Sequence, residues 1–139
     1  MVAKRMENSM EYCMSKTAKG SISDWEPKVR EALAKEGFGI LTEIDVEQTM
    51  RKKLGAEVGP HKILGACNPA MAKGAIELEP RIGVMLPCNV VLRQAGPGQT
   101  ELSFIDPVAS MAAVDNPGLK GQAAQVRQKL LNALESLGI

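Results

Sequence analysis

Aromatic residues are scarce in this sequence, which has one Trp, one Tyr and two Phe among 139 residues. Proteins that bind single-stranded nucleic acid usually stack the bases on aromatic side chains beside a basic groove. Lys and Arg are also nearly balanced by Asp and Glu, so that the formal net charge is +1. Both properties argue against a nucleic-acid partner, and they predict a core built from aliphatic side chains.

Long apolar runs and cofactor motifs are absent as well. No stretch reaches the roughly 18 apolar residues of a membrane span, so no membrane partner is expected. The segment MVAKRMENSMEY at the N-terminus has no apolar core of a secretory signal. The three cysteines are therefore expected to be reduced thiols of a cytoplasmic protein. The sequence contains no dinucleotide-binding glycine motif, no P-loop and no H-E-x-x-H motif, and we predict no cofactor and no metal.

Hydrophobic periodicity predicts a flexible lead-in over residues 1–9 and a single α+β domain over residues 10–139. The predicted order is β-α-β-α-β-α-β-β-α. The predicted elements are a strand at 10–15, a helix ending near 36, a strand at 38–45, a helix at 46–54, a strand at 61–68, a helix at 70–78, two strands at 83–94 and 100–106 joined as a hairpin, and a last helix at 119–137. A hairpin favours an antiparallel or mixed sheet with helices packed on it.

Capping residues and prolines give the boundaries of several elements. Asp45 and Asn68 are predicted N-caps, and Pro69 fits the first position of the helix that it begins. The segment Ser23-Asp24-Trp25-Glu26 has the spacing of a capping box. Proline cannot donate to a strand ladder, so Pro87 inside the predicted strand 83–94 indicates an edge strand or a bulge.

Four segments together resemble one known family. They are GFGIL followed by EID at 37–45, ILGACNP at 63–69, GVMLPCNV at 83–90 and DP at 106–107. In this combination the chain, over residues 10–137, resembles the family called "domain of unknown function 302". The resemblance implies an α+β fold similar to that of the TATA-binding protein, with a curved antiparallel sheet backed by helices, and it implies a homodimer. It implies neither DNA binding nor any catalytic residue.

Two Cys-Asn pairs stand beside prolines, in ACNPA and in LPCNV. They could form a reactive or metal-binding pair, or they could be small core residues at turning points of the fold. His61 and Cys67 share a strand face but lie about 20 Å apart, too far to bind one metal ion within one chain. Cys88 falls on an apolar strand face, which is typical of a core cysteine. Cys67 precedes a helix N-terminus, whose partial positive charge favours a reactive thiolate if the sulfur is exposed.

Carboxylates and amides are the remaining candidates for chemistry. Glu43 and Asp45 alternate onto one strand face and Asp106 ends another strand, and paired carboxylates can perform acid–base catalysis. Helix capping by Asp45 and an Asp-Pro turn at Asp106 are the structural explanations, and we favour them. Asn68 and Asn89 could cap helices or form amide hydrogen bonds in a pocket.

We therefore predict a small-ligand-binding or interaction domain that acts as a homodimer and is more readily explained as a binding protein than as an enzyme. The candidate site residues are Cys67, Asn68, Pro69, Pro87, Cys88, Asn89 and Asp106. A small anionic ligand is expected at the backbone N–H groups of the helix that starts at Pro69. The apolar stripe of the last helix is long enough to serve both the core and a dimer interface. Two alternatives stay open: a thiol-dependent redox enzyme in which Cys67 attacks and Cys88 resolves, and a purely structural dimerisation unit.

Overall fold

The fold is taken from a computed structural model, which describes residues 11–139; the predicted lead-in and Met10 lie outside the described residues. The strands are β1 (Cys13–Lys19), β2 (Gly39–Asp45), β3 (His61–Cys67), β4 (Cys88–Gly96) and β5 (Gln99–Ile105). The helices are α1 (Ile22–Lys35), α2 (Val46–Leu54), α3 (Pro69–Leu78), α4 (Pro107–Ser110) and α5 (Pro117–Glu135), with a short 3₁₀ helix at Ile82–Met85. The predicted element order is confirmed, and the 3₁₀ helix and α4 are additions to it.

The strands form one open antiparallel sheet in the order β1-β5-β4-β3-β2. The predicted α+β class, with an antiparallel sheet backed by helices, is therefore confirmed. The edge position expected from Pro87 is wrong, because β4 lies between β5 and β3 and begins only at Cys88. Pro87 follows a cis Leu86–Pro87 peptide bond. Because it lies one residue before β4, its lack of an N–H group costs the sheet no hydrogen bond.

One face of the sheet packs against helices and holds the main core. Leu64, Val90, Leu102 and Phe104 are fully buried there. They belong to one cluster with buried side chains of α1 and α5. Periodicity predicts one apolar stripe in α1, and its members are buried, namely Trp25, Val29, Ala32 and Leu33. The stripe of α5 is buried at Leu119, Ala123, Leu130, Ala133 and Leu134. The core is thus mainly aliphatic, as the scarcity of aromatic residues predicts.

The helix caps follow the local sequence, with one correction. Asp45 caps α2, and Asn68 caps α3 with Pro69 as its first residue, as predicted. The capping box of α1 lies two residues earlier than predicted, because Ser21 Oγ accepts the Asp24 N–H at 3.1 Å and Asp24 Oδ2 accepts the Ser21 N–H at 3.0 Å. Glu26, which the predicted box required, is hydrogen-bonded to Lys62 and Arg30 instead.

Periodicity predicts apolar stripes of Val46, Met50 and Leu54 in α2 and of Ala72, Ala75 and Ile76 in α3, and both predictions are wrong in part. No residue of α2 is buried, and Leu54 is 75% exposed. This helix lies in the connection between β2 and β3 and packs against those two strands at the margin of the sheet. In α3, Ala75 is buried but Ile76 is 47% exposed, because α3 presents Ala75 to α5 and the surrounding cluster.

Three predicted strand boundaries are also corrected. The first strand runs on to Lys19 instead of ending at Ser15, because its whole length pairs with β5. The hairpin connection is shorter than the predicted five residues, since β4 continues to Gly96 and β5 begins at Gln99. Gly98 in this turn has a φ of +67°, a conformation that favours glycine.

The opposite face of the sheet is less covered. Register pairing aligns Ile44, Ile63 and Val91 in one row across β2, β3 and β4, and the row continues through Ser103 and Ser15. The residues on this face are half-buried or exposed, apart from the buried Gly65, within the part of the chain that the structure describes. Among residues 11–139, no helix combines the length and the apolar character needed to cross a membrane.

Candidate functional site

A cavity of about 40 Å³ lies where the ends of β3 and β4 meet α3 and α5. Alanine, leucine, methionine, proline and phenylalanine side chains form most of its wall. No Lys, Arg, His, Asp or Glu is among the described residues that line it. The cavity is thus an apolar space of a size that admits only a few atoms in the present conformation, since one water needs about 10–15 Å³ by this measure.

Four of the sequence-predicted site residues line this cavity, namely Cys67, Asn68, Pro87 and Cys88. The sheet register brings the two motifs together, because Cys88 pairs with Ala66, the residue before Cys67. The ACNPA and LPCNV segments therefore meet at one end of two neighbouring strands.

The other three predicted residues do not line the cavity. Pro69 is exposed as the first residue of α3, and Asn89 is exposed on the opposite sheet face. Asp106 caps α4 by accepting the Val108 N–H at 2.9 Å, and its second oxygen accepts from Arg127 Nε at 3.0 Å. The structural explanation favoured for Asp106 is thus supported in outline, although the residue caps a short helix rather than a simple turn.

Asn68 ties the junction of β3 and α3 to the end of α1. Its Oδ1 accepts the Met71 N–H at 3.3 Å, and its Nδ2 donates to the Glu36 carbonyl at 3.3 Å. A Cβ added at Gly37 would lie 2.9 Å from Asn68 Nδ2, so the glycine leaves room for the amide. Both ends of the Asn68 amide are therefore hydrogen-bonded within the cavity wall, and the Met71 N–H at the N-terminus of α3 already has an acceptor.

The two cavity cysteines differ in their surroundings. Cys88 is only 8% exposed, whereas Cys67 is half-buried. Burial raises the pKa of the Cys88 thiol from 9.0 to about 11, and the nearby Cys67 contributes to the same direction. Cys88 is consequently a neutral thiol near pH 7. Cys13, Cys67 and Cys88 are all free.

Gln122 of α5 is a lining residue that sequence reasoning missed. Its Nε2 donates to the Met71 carbonyl of α3 at 2.6 Å. The close approach requires Gly74, since a Cβ there would lie 2.7 Å from Gln122 Nε2. Gln122 Oε1 is buried and has no hydrogen-bond partner. The available signal was its position on the apolar face of the last helix, three residues after Leu119, where a polar residue is unexpected.

The comparisons with known proteins identify the family. The family model described as "Domain of unknown function DUF302" matches residues 14–137. The chain belongs to the DUF302 family. A crystal structure of an uncharacterized conserved DUF302 protein from Bacillus stearothermophilus is similar to this chain, with 26% identity, a TM-score of 0.82, and coverage of 89% of this chain and 96% of that chain. No curated protein sequence matches the chain. The resemblance stated from the sequence is thereby confirmed.

The cavity of this DUF302 domain lies wholly inside the family match. Its lining residues fall between Phe38 and Val126, while the match spans residues 14–137. The cavity is therefore formed by the family domain itself, from its helix face and the ends of two central strands.

The carboxylates predicted as alternatives have structural partners in this DUF302 domain. Asp45 Oδ1 accepts the Gln48 N–H at 2.9 Å as the cap of α2. Glu43 pairs with Arg30 at 2.6 Å and with Lys62 at 3.1 Å. The hydrogen bonds that Lys62 donates to Glu26 and to Glu43 raise the pKa of Lys62. Among the described residues, no group of three or more His, Cys, Asp or Glu could hold a metal ion.

Proposed function

We propose that this DUF302 domain binds a small, neutral, mainly apolar molecule in the cavity between β3, β4, α3 and α5. The observation that carries the proposal is the apolar wall formed where the two Cys-Asn segments meet. Binding pockets for small molecules are typically lined by apolar side chains with a few polar groups that fix orientation. Removing apolar ligand surface from water supplies the affinity.

Two methionines give the cavity room to adapt. Met71 of α3 is half-buried and Met111, which follows α4, is 7% exposed, and both line the cavity. Methionine has three rotatable bonds and fills irregular gaps, so changes of rotamer can enlarge such a space. A ligand larger than the present 40 Å³ can enter if these side chains move.

The anionic ligand predicted from the sequence is the competing proposal. It has less support, because Asn68 already accepts the Met71 N–H and no cationic side chain lines the described wall. A helix N-terminus attracts anions through free N–H groups and its dipole, and one of these N–H groups is occupied here. We therefore favour a neutral ligand.

Nuclear magnetic resonance of methyl-labelled methionine tests this function. Toluene, as a neutral apolar probe, is expected to shift the Met71 and Met111 methyl signals in a saturable way, whereas inorganic phosphate is not. Ala123→Leu should abolish the toluene response, because Ala123 is buried in the cavity wall. Ala124→Leu is the matched control, one residue along α5 and exposed.

Three outcomes of this titration separate the competing proposals. Saturable shifts that vanish in Ala123→Leu and persist in Ala124→Leu would support the neutral ligand. A response to phosphate alone would support the anionic ligand. If no probe shifts the methionine methyl signals, the hypothesis of a purely structural dimerisation unit would be the better supported one.

We also propose that the domain forms a homodimer through the opposite face of the sheet. Ile44 is 46% exposed, and its neighbours Ile63 and Val91 complete an apolar row across three strands. The α5 stripe, proposed from sequence as an interface, is buried against the chain's own core and offers less surface. Two copies of a sheet face can form a self-complementary contact around a two-fold axis.

Sedimentation equilibrium tests the dimer. The wild type is expected to sediment as a dimer at micromolar concentration, and Ile63→Lys should shift it toward monomer by placing a charge in the contact. Ala124→Lys changes an exposed position of α5, so it is the control and should leave the sedimenting mass unchanged. A monomeric wild type would remove the proposal.

The thiol-dependent redox alternative has weaker support. A resolving cysteine reacts as its thiolate, while burial keeps Cys88 protonated well above neutral pH. We retain from the sequence the proposal that the three cysteines are reduced thiols of a cytoplasmic protein. Formation of a reversible Cys67–Cys88 disulfide in a glutathione buffer, detected by mass spectrometry, would revive this alternative.

A further inference from the structure

The amide of Gln122 has a fixed orientation. Its Nε2 donates to the Met71 carbonyl oxygen at 2.6 Å. Rotating the amide by half a turn would place Oε1 against that oxygen, and two acceptors repel at this distance. Oε1 is therefore the group left over, buried and without a partner.

A buried acceptor without a partner loses its hydration and gains nothing in return. Among the described residues, Gln122 Oε1 is the one buried side-chain nitrogen or oxygen atom in this condition. It belongs to a side chain that lines the cavity, whose other lining residues are mainly apolar. A leucine or methionine at this position would fill the same space without this loss, although it would also give up the hydrogen bond to Met71. That bond explains the Nε2 end of the amide, and the buried Oε1 end is left without a partner.

A bound water explains it poorly. A buried water usually makes two to four hydrogen bonds. No other described lining side chain offers a buried nitrogen or oxygen without a partner. A molecule with one donor on an apolar body suits one acceptor in an apolar wall better, because its remaining surface gains from burial.

We propose that the ligand of this cavity carries a hydroxyl or N–H group on a small apolar body, and that Gln122 Oε1 accepts its hydrogen bond. Gln122 would then determine specificity between donors and shape-matched molecules that lack a donor. The inference rests on the proposed function, because it names the chemical class of the molecule that the cavity binds. Phenol and toluene, which are nearly equal in shape, serve as the probes.

The test compares dissociation constants of phenol and toluene from the methionine methyl signals. Because phenol and toluene differ in their own hydration, the informative quantity is the ratio of the toluene constant to the phenol constant. We expect this ratio to fall about fivefold in Gln122→Met, the effect of losing one net hydrogen bond. Gln125→Met, which changes an exposed glutamine on the same helix, should leave the ratio unchanged.

A second variant, Gly74→Ala, tests the same hydrogen bond if Gln122→Met fails to fold. Gly74→Ala keeps Gln122 but places a Cβ 2.7 Å from its Nε2, so the amide must move. The ratio should fall in this variant as well. If both probes bind and neither variant changes the ratio, the inference is overturned while the proposed function stands. If neither probe binds the wild type, the proposed function itself fails.

Discussion

Pro87 lies directly over Gly65. A Cβ built at Gly65 would approach Pro87 Cγ to 2.7 Å and would also collide with Thr42 Oγ1. Gly65 is buried although it lies on the less covered face of the sheet. Its missing side chain thus lets Pro87, which lines the cavity, come close to β3. The glycine of ILGACNP and the proline of LPCNV are explained by the same contact.

Gly65→Ala should destabilise the domain by about 1–3 kcal/mol, the usual cost of overpacking. The pyrrolidine ring can change only its pucker and Thr42 Oγ1 also lies in the path of the new methyl group, so the neighbouring segments have to shift. Gly39→Ala is the matched control, because Gly39 also lies in a strand and a Cβ there has no atom within 4 Å. Urea unfolding should show a loss for the first variant and almost none for the second. Equal stability of the two would contradict the contact.

Alkaline pH should weaken the fold through Cys88. Burial raises the pKa of this thiol from 9.0 to about 11 in the folded state. Between these values the unfolded chain has released a proton that the folded chain retains, so the free energy of unfolding falls as pH rises. The full effect is about 2–3 kcal/mol, reached near pH 11 and absent below pH 9.

Unfolding in urea between pH 8 and pH 10.5 measures this dependence. Cys88→Ala should be less stable than the wild type near pH 8, because it leaves a gap in the core. Its stability should fall less steeply with pH, since it lacks the titrating thiol. Parallel curves for the two proteins would show that Cys88 does not carry the effect.

Gly74→Ala should leave stability nearly unchanged. Alanine is favoured over glycine inside a helix by about 1 kcal/mol. The new Cβ displaces the Gln122 amide and removes its hydrogen bond to Met71, which costs a comparable amount. Gly121→Ala in α5 is the control, because a Cβ there has no atom within 4 Å and only the helix gain remains. Thermal unfolding should therefore show a clear rise for Gly121→Ala alone.

Asn68→Ala should cost about 1–2 kcal/mol, because the helix cap is lost together with the hydrogen bond to Glu36. Asn68→Asp keeps an acceptor for the Met71 N–H but cannot donate to the Glu36 carbonyl. Its stability should fall between those of the wild type and Asn68→Ala. Chemical denaturation of the three proteins at pH 7 provides the ranking, and an aspartate variant as stable as the wild type would show that the Glu36 contact contributes nothing.

The boundaries of several elements could be predicted because they depend on neighbouring residues. The Asn68-Pro69 pair caps and begins α3, and Asp45 caps α2, through contacts within three residues. For the capping box of α1, two pairs of residues have the required spacing, and the sequence predicts Ser23 with Glu26. In the structure Ser21 and Asp24 form the box, because Glu26 is hydrogen-bonded to Lys62 on β3.

The candidate site could be predicted only in part. Local sequence marked Cys67, Asn68, Pro87 and Cys88 as unusual, and the sheet register then brought their two segments together. Gln122 lies 51 residues after its partner Met71, and periodicity does not report which helix faces meet. The inward position expected for Ile76 was wrong for the same reason, since the packing of α3 on α5 selects the buried face.

The sequence by itself determined the order of strands and helices, the caps of α2 and α3, and the family, because these follow from periodicity and from short motifs. Only the tertiary structure decided that Pro87 covers Gly65, and that Gln122 reaches Met71 past Gly74. Both contacts join segments distant in sequence through the absence of a side chain. The residues next to a glycine in the sequence do not indicate which distant atom packs against it, so the reason for the glycine can be read only from the tertiary structure.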